Sequence, residues 1–326
     1  MTPTHPNQVN RGLWLGLLGI AIFSVTLPMT RMAVGTADAP QMSGFFIAMG
    51  RAVVAAALSG AFLLLTRAPL PRRGDWLPLA ITAGGVVFGF PLFTSIAMRY
   101  VEAMHASVIV GVLPLATAAV GALLHRQRPS LGFWLCAALG SALVAVFAVM
   151  NGGVSAGASA GTATPGISVH SADLLLVAAM LCAAVGYGYG ARLSQRMQPE
   201  HVICWALVLS LPITLPLAAY SWPTAPLQSS AWWGFAYVAV FSMWLGFFAW
   251  YRGLALGGTV RVSQVQLVQP FLSMLVAVPL LGEKLDAVTV GFGVAVIATV
   301  FIGKKMPVSQ PTIATNSPTR LPAHNT

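Results

Sequence analysis

Charge is what this chain has least of. Only 7% of its 326 residues are Asp, Glu, Lys or Arg, against 57% hydrophobic, where a soluble domain carries about 25% charged residues. Mean hydropathy is +0.80. That composition excludes a soluble domain and indicates an integral membrane protein with many spans. The net charge of +10 is spread thinly over short loops, not gathered in a patch, so a nucleic-acid partner is not expected.

Acids are scarcer still, and they are missing where pumps need them. Asp38, Asp75, Glu102, Asp173, Glu200, Glu283 and Asp286 all fall in loops or at span ends, as do the six histidines. Buried carboxylates and histidines are the usual proton relays, so coupling through a mid-membrane acid is not expected. With no H-E-x-x-H, no acid cluster and no Walker A motif, the sequence offers no metal site, no cofactor site and no ATPase of its own. Cys136, Cys182 and Cys204 sit in apolar runs without C-x-x-C spacing and read as small packing residues. The first apolar run starts at Gly12 and lacks an A-x-A-like cleavage site, which predicts a retained helix rather than a cleaved signal peptide.

What the chain has in plenty is apolar runs long enough to cross a bilayer, which takes about 20 residues. Ten are counted, near 12–33, 43–65, 76–98, 103–125, 132–151, 171–192, 201–220, 231–253, 260–281 and 286–303. A Gly/Ser/Ala linker (152–170) and a polar tail (304–326) lack periodicity and are expected to be poorly ordered. If the N-terminus and the even-numbered loops share one side, that side holds thirteen of the seventeen cations. The other side holds Arg31, Arg99 and Lys284, and Arg51 lies inside the second span. The positive-inside rule then puts both termini in the cytoplasm.

The halves repeat. A shift of 156 residues lays ASVIVGVLPLATAAVGALLHRQR (106–128) on VSQVQLVQPFLSMLVAVPLLGEK (262–284), with Ser107 on Ser263, Pro114 on Pro270 and Arg128 on Lys284. Each half is five helices (12–151 and 171–303), and five is odd, so the second copy enters from the opposite face. The predicted fold is all-α, ten transmembrane helices in two inverted-topology repeats. Such repeats are common in transporters, with substrate bound near the midplane between them.

The residues 247–302 carry an aromatic helix ending in W-Y-R-x-L, a helix with a central proline, the turn Gly282-Glu283-Lys284 and a Gly-rich last helix. The first half carries Arg51, A-M-R-Y at 97–100 and its own proline helix, with Gln127 in place of the turn's acid. Over 12–303 the chain resembles two EamA domains of the drug/metabolite transporter superfamily. The resemblance implies a ten-helix carrier of the bacterial inner membrane for small metabolites, commonly an exporter.

Candidate binding residues are polar or aromatic side chains on faces that lipid will not take. Ser263, Gln266, Gln269 with Pro270, and Ser273 form one stripe at helical spacing, with Gln264 off it. An amide facing lipid costs several kcal/mol, so the stripe faces either other helices, as glue, or a wet substrate path. Pro270 is expected to free a carbonyl near Gln266, as acceptor or hinge. Pro114 has a mostly apolar neighbourhood, so the cavity is expected to be polar on the second half's side. Trp244, Phe247, Phe248 and Tyr251 form an aromatic stripe, with Tyr251 near the cytoplasmic end. Tyr187 lies between Gly186 and Gly190, a small-xxx-small contact. Thr26 and Thr30 share a face with Phe23, and Pro91 marks a kink in the third span. Arg51 reads either as a structural cation bonded to carbonyls or as the partner of a substrate carboxylate.

The sequence thus predicts an exporter of small metabolites such as amino acids, working by alternating access. Alternatives are a carrier of other small organic anions or nucleoside-like solutes, or a lipid-modifying membrane enzyme, for which Glu283, Asp286 and His125 are too scattered. The expected partners are a small-molecule substrate and the bilayer. A monomer suffices, and Gly291 with Gly293 offers a homodimer contact.

Overall fold

The computed structural model describes residues 6–124, 128–158, 169–257, 262–305 and 308–309. The Arg126-Gln127 turn, His125, Arg261, the middle of the linker, the tail beyond Ser309 and the side chains of Ser263 and Gln264 lie outside the described residues. Among the described residues the helices are joined by short loops, with a two-residue antiparallel pairing of Arg128–Pro129 with Val308–Ser309 and a single bridge between Gly35 and Pro40. Among the described residues, seven helical stretches are long and apolar enough to cross a membrane: Asn10–Val34, Gly44–Leu65, Arg73–Ala97, Ala103–Gly121, Ser171–Leu193, Pro199–Tyr220 and Ser229–Gly257. Three more apolar stretches are shorter, within Trp134–Leu143, Val265–Leu281 and Ala287–Thr299. The expected linker is helical at both ends, since one helix runs to Ala158 and the next starts at Val169.

Several of these stretches are broken, and the helices are labelled piece by piece. The first run is α1 (Pro6–Ser24) and α2 (Thr26–Val34), then α3 (Gly44–Leu65). The third run is α4 (Trp76–Ala83) and α5 (Phe90–Ala97), joined by a π-helical turn at Gly84–Gly89. Next come α6 (Ala103–Val110), α7 (Leu113–Leu124), α8 (Leu131–Ala158), α9 (Val169–Leu193) and α10 (Pro199–Tyr220). The eighth run is α11 (Ser229–Tyr237) and α12 (Gly246–Gly257), joined by a π-helical segment at Val238–Leu245. The chain ends with α13 (Gln269–Leu281), preceded by a 3₁₀ turn at Ser263–Val268, and α14 (Ala287–Lys305). Shifting Gly84–Gly89 by 156 residues lands on 240–245, inside the second π segment. The same local defect recurs at the same place in both halves.

Glycines set the close helix contacts. A Cβ on Gly12 would meet the backbone of Gly257, and one on Gly19 would lie 3.1 Å from the nitrogen of Trp250, so α1 and α12 touch backbone to backbone. Likewise a Cβ on Gly85 would lie 2.8 Å from the Cα of Gly186. Without a hydrophobic force between helices in lipid, such close packing supplies the attraction.

Polar contacts sort the helix ends into two groups. At one end the Glu283 carboxylate accepts from the N–H groups of Ala103 (2.8 Å) and Met104 (2.9 Å), capping α6. Burial pushes this carboxyl above its usual range, against the two backbone bonds that pull it down. Beside it Arg31 donates to the Met98 carbonyl, and Arg99 to those of Val34 and Met42. These two cations hold loops together. At the other end Arg196 faces Asp75 at 3.7 Å and Arg252 bonds Glu200 at 2.8 Å. The long helices run between these two ends in alternation.

Candidate functional site

The site is built from helix breaks, and prolines make them. Pro114 has no N–H for the carbonyl of Val110, and the chain tightens there: the Gly111 N–H turns to Ser107 (3.0 Å) and Val108 (3.1 Å). The repeat-related Pro270 has no N–H for the carbonyl of Gln266. That carbonyl is taken by the Gln269 N–H in the 3₁₀ turn, so the spare acceptor expected from the sequence is already used. A third break separates α1 from α2. Pro28 leaves the Ser24 carbonyl without its helical donor, and the Ser273 hydroxyl fills the vacancy at 2.7 Å. Sequence reasoning missed Pro28, although a proline inside an apolar run is the signal that would have found it.

Around these breaks lie two adjacent cavities. One, narrow and partly open, is lined by Ser107, Gln266, Gln269, Ser273 and both prolines, Pro114 and Pro270. The other, also narrow, is lined by Thr26, Arg51, Tyr187 and Ser242, with Phe23, Phe90 and Phe247 as apolar wall. Leu27, Val110, Leu113 and Gln269 line both. The lining comes in repeat-related pairs: Val86 with Ser242, Val110 with Gln266, Leu113 with Gln269, Pro114 with Pro270. The cavity therefore lies where the halves meet. In the first three pairs the first half gives the apolar member and the second half the polar one, while Thr26, Arg51 and Ser107 add polar groups from the first half.

Arg51 is the charge of the site. It is 2% exposed, and its Nη2 donates to Ser242 Oγ at 3.0 Å. Its Nε and Nη1 are buried without a partner, and no carboxylate pairs with it among the described residues. It is not held by carbonyls, so the structural role expected of a buried arginine is filled by one hydroxyl alone. Thr26 Oγ1 donates to the same Ser242 oxygen at 2.8 Å. Ser242 accepts both bonds, which leaves its own O–H as a further donor. Arg51 and Ser242 thus present donors and no anion. Both amide atoms of Gln266 are also buried without partners. The Gln266 side chain thus makes no bond to a neighbouring helix.

Of the residues singled out in the sequence, Gln266, Gln269, Ser273, Tyr187, Thr26, Arg51, Pro114 and Pro270 meet here. Trp244, Thr30 and Pro91 do not. Trp244 packs against Phe62 and Phe248 (centroids 6.4 and 5.1 Å). The sequence stripe assumed α-helical spacing, but the π segment ends between Trp244 and Phe247 and rotates everything before it. That rotation brings in Ser242, which no α-helical pattern would have found. Thr30 turns its hydroxyl onto the Thr26 carbonyl at 2.7 Å, and Pro91 is buried just after the π turn at Gly84–Gly89. Tyr251 is fully buried against Phe247 and beside Gly190.

A helical bundle whose repeat-related helices break around a buried polar cavity is the build of a membrane transporter. The chain belongs to the EamA-like transporter family, which matches residues 10–150 and 170–303. It is 40% identical over 301 residues to the uncharacterized transporter YdeK of Bacillus subtilis (strain 168), covering 92% of this chain and 99% of that one. A protein crystal structure superposes with a TM-score of 0.59 over 90% of this chain and 96% of its own, at 17% identity. That likeness speaks for the fold alone.

Proposed function

We propose that this transporter exports small metabolites bearing a carboxylate, amino acids among them, by alternating access. The observation that carries the reading is Arg51: a fully buried guanidinium with two nitrogens unpartnered, in a cavity between the halves. A buried cation left unpaired costs several kcal/mol, and a bound carboxylate repays that cost. Phe23, Phe90 and Phe247 suit an apolar substituent, and Gln266 with Gln269 suit its remaining polar groups, since an amide both donates and accepts.

The membrane arrangement in this reading is ten spans in two inverted repeats (12–151 and 171–303), in the bacterial inner membrane with both termini cytoplasmic. The alternation of helix ends and the cation bias support it. α8 has 28 residues and α14 has 19, roughly 42 and 28 Å of helix, the first longer than a hydrocarbon core of about 30 Å and the second close to it. Inverted halves offer two quasi-equivalent packings, one open to each side.

The test is a flux screen. Cells making wild type or Arg51→Gln at matched membrane levels are loaded with labelled amino acids, small monocarboxylates, nucleosides and the decarboxylated amines of the amino acids. Efflux of carboxylates by wild type alone supports the reading. Equal efflux of acids and their decarboxylated amines contradicts it.

A further inference from the structure

The two cavities offer a solute opposite chemistry. Around Arg51 the lining donates. The guanidinium keeps two unpartnered nitrogens, and Ser242, which accepts from Arg51 and Thr26, keeps its own O–H. Around Gln266 the lining accepts. The Ser107 hydroxyl donates to the Ala103 carbonyl at 2.7 Å and the Ser273 hydroxyl to that of Ser24 at 2.7 Å, so each has only lone pairs left to offer. Gln266 is 2% exposed, and its side chain adds an oxygen and a nitrogen that are both buried without a partner. Leu27, Val110, Leu113 and Gln269 line both cavities, so one small solute between the halves can reach both sets.

Charge decides which solute. Among the described residues Arg51 is the one ion in the lining, and no acid lines either cavity. The site by itself holds one buried positive charge. A free amino acid is a zwitterion and leaves that net charge as it was, with its ammonium brought near a guanidinium of like sign. The neutral oxygens of Ser107, Ser273 and Gln266 satisfy N–H groups but do not cancel a charge. A monoanion cancels it. An uncancelled buried charge costs far more than a neutral pair.

We propose that the site selects carboxylates whose nitrogen is acylated, N-acyl amino acids as a class, over the free amino acids. The inference rests on the carboxylate reading above and ranks the solutes within it. The carboxylate meets Arg51 and the Ser242 O–H. Acylation removes the positive charge and leaves a secondary amide with one N–H and one carbonyl. The carbonyl accepts from the Gln266 amide nitrogen, and the N–H goes to the Gln266 oxygen or to the spare lone pairs of Ser107 or Ser273. The side chain takes the aromatic wall of Phe23, Phe90 and Phe247. An acid with no nitrogen cancels the charge but leaves Gln266 unpaired, which ranks it between the other two.

The test is counterflow into proteoliposomes holding the full-length protein, near neutral pH. The labelled probes are the N-acetyl derivatives of alanine, leucine and phenylalanine, and the three parent amino acids. Unlabelled competitors of each N-acetyl probe are its parent, the matching acid without nitrogen and the matching N-acetylamine without carboxylate. The expected order is the N-acetyl acid first, the acid without nitrogen next and the parent at least tenfold weaker than the N-acetyl acid, with no competition from the N-acetylamine. In Gln266→Leu the advantage of the N-acetyl acid over the acid without nitrogen is expected to vanish. Half-inhibition by the acid without nitrogen should stay within twofold of wild type, which also reports a folded protein. A parent amino acid carried as well as its N-acetyl form or better, with uptake lost in Arg51→Gln, overturns this inference and leaves the carboxylate reading standing. An advantage of the N-acetyl acid that survives Gln266→Leu overturns the amide contact on which the ranking rests. Uptake of no carboxylate that depends on Arg51 overturns both readings.

Discussion

Arg51 and Ser242 stand 3.0 Å apart, guanidinium to hydroxyl, across the boundary between the first and second halves. Ser242 sits in a π segment, and its repeat mate Val86 lines the same cavity. This one contact joins the buried cation, the helix defect and the repeat.

Replacing Arg51 separates function from stability. A charged hydrogen bond is worth about 1.5–3 kcal/mol, so Arg51→Gln is expected to lower carboxylate kcat/KM by roughly ten- to hundredfold. The fold should not suffer, because the guanidinium has no carboxylate partner to lose. Thermal unfolding of the purified protein should show an unchanged or raised Tm.

Ser242→Val copies the first half's residue into the second. Arg51 and Thr26 then lose their common acceptor, and the guanidinium is free to swing. KM for a transported carboxylate should rise several-fold with kcat less affected, and Ser242→Thr should restore it. Side-by-side initial-rate curves check this.

Gln266→Leu distinguishes a substrate wall from helix glue. Both amide atoms lack partners, so removing them breaks no bond and should leave stability within about 1 kcal/mol. Flux should fall. Trp244→Phe, outside the cavity, should change neither. Unfolding midpoints and efflux rates measured together decide it.

Glycine substitutions should divide by contact. Gly186→Leu drives a side chain into Val86 and Gly85, an overpacking that costs about 1–3 kcal/mol. At Gly60 and Gly291 an added Cβ would meet nothing within 4 Å, and the same change there should be silent. Yield and Tm across the three variants test the helix contacts.

Losing the Glu283 cap should cost about 1–2 kcal/mol in Glu283→Ala, by the measure of other helix N-caps. Glu283→Gln, which keeps one acceptor oxygen, should lose less. Chemical denaturation in detergent reads the difference.

Much of this was legible because the signals are local. Apolar runs gave the helices, and the 156-residue shift gave the matched prolines. Arg51, Gln266 and Gln269 stood out because lipid tolerates none of them. The π segments left no trace, since a widened turn has no residue signature. That is why Trp244 was assigned inward and Ser242 was missed. The fate of the Gln266 carbonyl also escaped, because the sequence tells which donor proline removes and not which donor takes its place. His105 and Asp173 looked like ordinary span-end residues, and only their packing across the two halves buries them together.

The most direct measurement is carboxylate dependence at Arg51. In proteoliposomes, wild type and Arg51→Gln are compared for counterflow of each labelled carboxylate that the cell screen finds moved, with its decarboxylated analogue as competitor. The expected result is uptake by wild type, a tenfold or greater loss in Arg51→Gln, and no competition from the analogue. Undiminished uptake by Arg51→Gln, or equal competition from the analogue, would contradict a carboxylate held by Arg51 between the halves.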